Sequence, residues 1–288
     1  MDDSTRAPTS RRPSTSIELV DIGANLTHES FAHDLDAVLE RAALAGVSQL
    51  VVTASNVAES AACIRLAQSH PLRLFATCGV HPHHAREWSA QVAQDIAEHA
   101  RHQYVVAIGE CGLDFNRDFS PRQDQEDAFI GHLQLAAQIG KPLFLHERDA
   151  FSRFHAIVRE HRAQLGAVVV HCFTGDGAAL DAYLELDLHI GITGWICDER
   201  RGTHLREMVS RIPADRLMVE TDSPYLLPRD LRPKPSNRRN EPMHLSHVLQ
   251  QLAADRGEDP LQCAAQTTAT ARAFFSLPPA SPAQRTLE

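Results

Sequence analysis

The chain has 288 residues, 43% of them hydrophobic, with 37 acidic against 28 basic side chains and a formal net charge of −9. Six cysteines without a C-x-x-C pair exclude zinc-ribbon and thioredoxin-type motifs. The negative balance argues against a protein that coats nucleic acid, and no stretch is apolar enough to span a bilayer. Residues 1–16 are rich in Ser, Thr, Arg and Pro. Their Arg11-Arg12 pair is followed by no apolar stretch, so it is not read as an export signal. This segment and residues 276–288, with three prolines, are expected to be disordered extensions of a cytoplasmic monomer.

The predicted elements alternate strand and helix eight times. Short apolar runs bounded by polar residues give strands at Glu18–Ile22, Gln49–Thr53, Arg73–Cys78 and Tyr104–Ile108. The remaining four fall at Pro142–Leu145, Ala167–Val170, Leu188–Ile192 and Leu217–Glu220. Between strands, Leu35, Val38, Leu39 and Ala42 share one helical face, as do Phe129, Leu133, Ala136 and Ala137. Helices around Pro242–Arg256 and Asp259–Phe275 follow the last strand. No repeat or composition shift marks a second domain. The alternation predicts right-handed crossovers and a parallel α/β sheet. The expected fold is a single (β/α)8 barrel over residues 17–275, since such barrels commonly fill about 250 residues. A doubly wound open sheet is the competitor, but it would gather its site near one switch point.

Four metal-type side chains end four of these runs: Glu110, His146, His171 and Asp222. Their spread over separate strands places an oxygen/nitrogen metal site at the C-terminal mouth of a barrel and points to a metal-dependent hydrolase. The mixed donors leave the metal open, because imidazole suits zinc, iron, nickel and manganese while carboxylate suits magnesium and manganese. Asp222 is also placed to take a proton from water. Asp114, four residues beyond Glu110, either orients a ligand or caps a loop. His81 follows the third strand and is read as a phosphate donor or acid, whereas His83 and His84 read equally well as solvent-exposed. Cys111 and Cys172 follow two of the proposed ligands, and strand alternation is expected to point both away from the pocket.

The segment Pro228–Pro242 carries Arg229, Arg232, Lys234, Arg238 and Arg239 against only Asp230 and Glu241. A cationic patch on an acidic chain suits capture of a phosphodiester at one mouth, with Lys234, Arg238 and Arg239 as its contacts. Phe115, Phe173, Trp195 and Tyr225 follow strand ends, where each packs under a loop or stacks a base.

At these residues the chain resembles the TatD family of metal-dependent deoxyribonucleases. The resemblance rests on Gly79-Val80-His81-Pro82-His83, Ala107-Ile108-Gly109-Glu110-Cys111-Gly112-Leu113-Asp114 and His171-Cys172-Phe173-Thr174-Gly175. It continues in Gly191-Ile192-Thr193-Gly194-Trp195, Glu220-Thr221-Asp222 and Lys234-Pro235 through Arg239-Asn240-Glu241-Pro242, so it spans Val20 to Phe275. It implies a TIM barrel of the amidohydrolase-like superfamily and a magnesium-stimulated 3′→5′ exonuclease on single-stranded DNA, in some members also on RNA. It further implies Glu110, His146, His171 and Asp222 as metal ligands, Asp222 as candidate base, and His81 and Arg148 as phosphate contacts. A role in DNA repair or nucleic-acid turnover follows at the family level.

One stretch departs from the pattern. Most relatives open the barrel with Asp-x-His-x-His, where this chain reads Asp21-Ile22-Gly23-Ala24-Asn25. Gly23 cannot ligate, and Asn25 offers only an amide oxygen behind the ligands. The expected cofactor therefore shifts from a zinc pair toward one exchangeable magnesium ion, with manganese next and zinc last. A metal-dependent amide or ester hydrolase and a non-catalytic nucleic-acid binder are the alternative functions.

Overall fold

The structure is a computed structural model that describes residues 17–280; the expected N-terminal extension and residues 281–288 of the expected C-terminal one lie outside the described residues. Eight strands form one sheet in the order of the sequence: β1 (Leu19–Ala24), β2 (Val47–Val52), β3 (Leu74–Cys78), β4 (Val105–Asp114), β5 (Leu143–Arg148), β6 (Val168–Val170), β7 (His189–Ile192) and β8 (Leu217–Val219). Every neighbouring pair is parallel. A parallel bridge between Ala24 and Ser223, with Asp222 N–H donating to Gly23 O at 2.8 Å, brings the last strand back to the first. The result is the expected TIM barrel.

Helices cover the outside: α1 (Leu35–Leu44), α2 (Val57–Ser69), α3 (Ala90–Ala100), α4 (Arg122–Ile139) and α5 (Phe151–His161). They continue with α6 (Gly177–Glu185), α7 (Thr203–Met208), α8 (Leu245–Arg256) and α9 (Pro260–Phe275). Side-chain caps start several of them: Asn56 on α2, Ser89 on α3, Asp176 on α6 and Asp259 on α9. The main apolar core fills the layer between sheet and helices. A second cluster fills the barrel interior, where Val20, Ile22, Val51, Phe75, Val106, Phe144, Val169 and Met218 meet Phe274, Phe275 and Leu277 from the end of α9. The chain stays packed beyond the boundary set at Phe275, for Leu277 is buried and Gln49 Nε2 donates to Pro278 O at 2.9 Å.

Two strands run further than their apolar runs. Pairing of β4 with β5 continues through Gly112 with His146 and Asp114 with Arg148, after a register shift between Gly109 and Cys111. The reason is glycine. Gly109 and Gly112 have φ of 148° and 143°, and a Cβ on either would collide with the carbonyl oxygen of Phe144 or His146. This bulge projects Glu110 into the mouth while the ladder is kept.

Candidate metal centre at the barrel mouth

Glu110 stands at the centre of the mouth. Its Oε1 lies 2.7 Å from His171 Nε2, 3.0 Å from His146 Nδ1 and 3.3 Å from His81 Nε2. Residues on β4 and β5 and just beyond the ends of β3 and β6 thus meet at one oxygen atom. The ligand atoms of His81, Glu110 and His146 all fall within 4.8 Å of one another. His146 Nε2 is buried without a hydrogen-bond partner, 3.4 Å from Asp114 Oδ2. An oxygen and several imidazole nitrogens around one point, with a buried nitrogen left over, fit a divalent cation.

Electrostatics here are coupled. Burial opposes ionisation of Glu110, but the adjoining His171, His81 and His146 outweigh it and hold the carboxyl well below its usual range. Burial likewise opposes charge on His171, yet Glu110 and Glu220 raise its pKa well above the ordinary imidazole value. For His81 burial prevails, pushing it down to about 4. Asp222 is pushed up to about 7, by burial and then by the nearby Glu110 and Glu220, against the pull of His171.

The expected residues fall into three groups. Glu110, His146, His171, Asp222, His81, Arg148 and Asn25 all line one cavity of about 500 Å³. Asn25 Nδ2 donates to Asp222 Oδ1 at 3.0 Å, and Asn25 Oδ1 accepts from Thr53 Oγ1 at 2.8 Å, so the amide steers that carboxylate. Asp114 lies just behind, 2.8 Å from His83 Nε2, and also caps the N–H groups of Asn116 and Arg117. The loop cap is thus formed, and the same side chain stands 3.4 Å from His146 Nε2.

The third group is not at the cavity. Lys234 and Arg238 are exposed on their loop and do not line it. Arg239 is engaged elsewhere: it pairs in bidentate fashion with Asp34 at 2.8 and 2.7 Å and with Glu241 at 2.7 Å, while Arg41 closes the network onto Glu241. The cations that do line the cavity are Arg148 and Arg117, neither with a carboxylate partner among the described residues. Arg148 Nη1 donates to Thr174 Oγ1 at 3.0 Å and lies over the Trp195 ring. Cysteines divide as well: Cys111 is in the core, but Cys172 lines the cavity, because its backbone at φ 46° departs from strand alternation. Among the four aromatic candidates Phe173 is buried, whereas Tyr225 is exposed at the rim.

Sequence reasoning passed over two buried carboxylates. Glu220, fully buried, accepts from the Cys172 N–H and lies 3.3 Å from His171 Nδ1, so it fixes the ring that presents Nε2 to Glu110. A Cβ on Gly23 or Gly191 would meet its carboxylate oxygens. Asp21 accepts from Thr221 N–H at 2.9 Å and Thr221 Oγ1 at 2.6 Å, tying β1 to the end of β8. Each is an acid inside an apolar run, a placement that demands partners and is itself a signal.

Comparison with known proteins agrees with this geometry. Residues 20–276 match the family model described as TatD related DNase. A protein of Erwinia amylovora named 3′-5′ ssDNA/RNA exonuclease TatD is 53% identical over 259 residues, covering 90% of this chain and all of the relative. Its namesake in Pantoea ananatis is 52% identical with the same coverage. Among solved structures, YJJV, a TatD homologue from Escherichia coli, superimposes with a TM-score of 0.83 at 26% identity, covering 91% of this chain and 99% of that one. The chain belongs to the TatD-related DNase family, a family of metal-dependent hydrolytic nucleases.

Proposed function

We propose that this enzyme is a divalent-metal-dependent 3′→5′ exonuclease acting on single-stranded DNA and on RNA, as the names of its relatives describe for them. The observation that carries the proposal is the convergence of three imidazoles on Glu110 Oε1 at the barrel mouth, beside two cations without carboxylate partners among the described residues. Magnesium is the proposed ion, manganese the next best, because carboxylates share the donor set. Glu110, His146, His171 and Asp222 are the proposed ligands.

When bound, the cation supplies Lewis-acid charge to a phosphoryl oxygen and lowers the pKa of water. Asp222, whose carboxyl pKa is pushed up by burial before any cation enters, is the proposed proton acceptor, and Asn25 holds its orientation. Arg148 and Arg117 hold the phosphate in line. His81, pushed down to about 4, is a neutral imidazole able to donate an N–H to the same oxygen. Glu220 keeps His171 in register. Among the described residues no helix is long and apolar enough to cross a membrane. We place the enzyme in the cytoplasm as a monomer, acting in DNA repair or nucleic-acid turnover.

The test uses metal-stripped protein and short single-stranded DNA labelled at its 5′ end, with magnesium, manganese and zinc restored separately. A ladder shortening by single nucleotides with magnesium or manganese, absent in Glu110→Ala, is the expected result. An intact strand under every metal would remove the nuclease reading.

A further inference from the structure

Five large apolar side chains are exposed among the described residues: Leu44, Leu72, Phe119, Tyr225 and Leu261. The three leucines sit in α1, in the turn before β3 and in α9, as scattered surface residues do. Both aromatic ones sit at the barrel mouth. Tyr225, 52% exposed, follows β8, lines the cavity and meets His28 edge-on at 5.7 Å. Phe119, 57% exposed, follows β4 and lies against His83 at 4.7 Å. From His83 the rings continue to His81 at 4.2 Å and on to His146 at 4.5 Å, which reaches Glu110.

Neither ring is on a loose loop. Phe119 O accepts from Arg86 Nη2 at 2.7 Å, and the next residue, Ser120, donates its hydroxyl to His83 O at 2.9 Å. Tyr225 N–H donates to Asp222 O at 3.0 Å, and Pro224 O accepts from Asn240 N–H at 3.0 Å. The backbone is fixed while the ring faces solvent, the pre-organised state in which an aromatic surface contributes most to binding. In the strand order the two rings stand far apart around the barrel, after β8 and after β4, with the metal cluster between them.

We propose that Tyr225 and Phe119 are two nucleobase platforms, one on each side of the metal centre, each stacking one base of the strand being cut. The inference rests on the nuclease reading and deepens it. Stacking is indifferent to base identity because every base has a π-face. It also requires bases that are unpaired and splayed apart, so these rings make the site selective for single strands without making it selective for sequence.

The test is a cycle of ring removal against base removal. Affinity for metal-loaded enzyme is read by fluorescence anisotropy, and KM alongside it, for a labelled oligonucleotide of mixed sequence. Companion strands carry an abasic residue at the 3′-terminal or the penultimate position. Tyr225→Ala and Phe119→Ala should each weaken binding of the intact strand about 5- to 20-fold. Each penalty should vanish on the strand abasic at the matching position, and Tyr225→Phe should behave like wild type. A penalty that is equal on intact and abasic strands, or none at either ring, would overturn the proposal. Failure of the nuclease reading is separately visible as wild-type enzyme that cleaves no strand, and the anisotropy cycle then still decides whether bases stack.

Discussion

The two ends of this barrel are built from opposite materials. At the floor, nine apolar side chains from the strands are sealed by Phe274, Phe275 and Leu277. At the mouth, Glu110, Asp114, His81, His171 and Glu220 are buried polar groups, and Asp149, Cys172, Asp222 and Leu226 hold positive φ values between 52° and 54° or, for Cys172, 46°. Burying such groups opposes folding unless each is partnered, and left-handed backbone at residues other than glycine adds strain. Phe144 marks the boundary: it belongs to the floor cluster, yet its ring lies 4.6 Å from His171. Stability is concentrated at one end so that the other can be shaped for chemistry.

Substitutions should divide along the same line. Glu110→Ala is expected to lower turnover at least about a thousandfold, roughly 4 kcal/mol of barrier, with little loss of thermal stability. Phe275→Ala should do the reverse, lowering unfolding free energy by about 3–4 kcal/mol while the folded fraction keeps its turnover. Denaturant melts beside initial rates check both, and a large stability loss in Glu110→Ala would blur the division.

Glu220→Gln probes a support of the mouth. It should weaken metal affinity about 10- to 100-fold, measured by titration of the metal-stripped protein. Acidity should act on the same quantity. Glu110 and Glu220 hold His171 well above the ordinary imidazole value, so without metal it carries a proton at neutral pH that a ligated cation must displace. Affinity should therefore fall as pH falls, about tenfold per unit for one displaced proton. Calorimetry in two buffers of different ionisation enthalpy would count that proton.

Arg239→Ala carries the smallest expected effect. Its partners Asp34 and Glu241 make it a clamp between loop and α1, so the change should cost about 1–2 kcal/mol of stability and leave KM for DNA nearly unchanged. A sharp rise in KM without destabilisation would return it to the phosphate-binding role that its sequence neighbourhood suggested.

That reversal shows where sequence reading stops. Strand ends were legible because apolar runs break at a charged or imidazole side chain, which brought Glu110, His146, His171 and Asp222 into view. The barrel was legible for the same reason, eight times over. Arg239 was not, because its partner Asp34 lies 205 residues away in the chain and a run of cations looks solvated until the fold supplies the acids. Glu220 and Asp21 were hidden by position within a strand signal, where a charge reads as an interruption rather than a partner. The reach of β4 to Asp114 depended on Gly109 and Gly112 meeting the carbonyls of β5, a contact between strands that no single run contains.

The space around Glu220 also constrains how such an enzyme can evolve. Its carboxylate fills the volume that any side chain at residue 23 would enter. A lone change of Gly23 to histidine would have to move that carboxylate aside, and with it the group that holds the His171 ring. What residue 23 tolerates is therefore decided by whether Glu220, on the far side of the sequence, finds a second resting place.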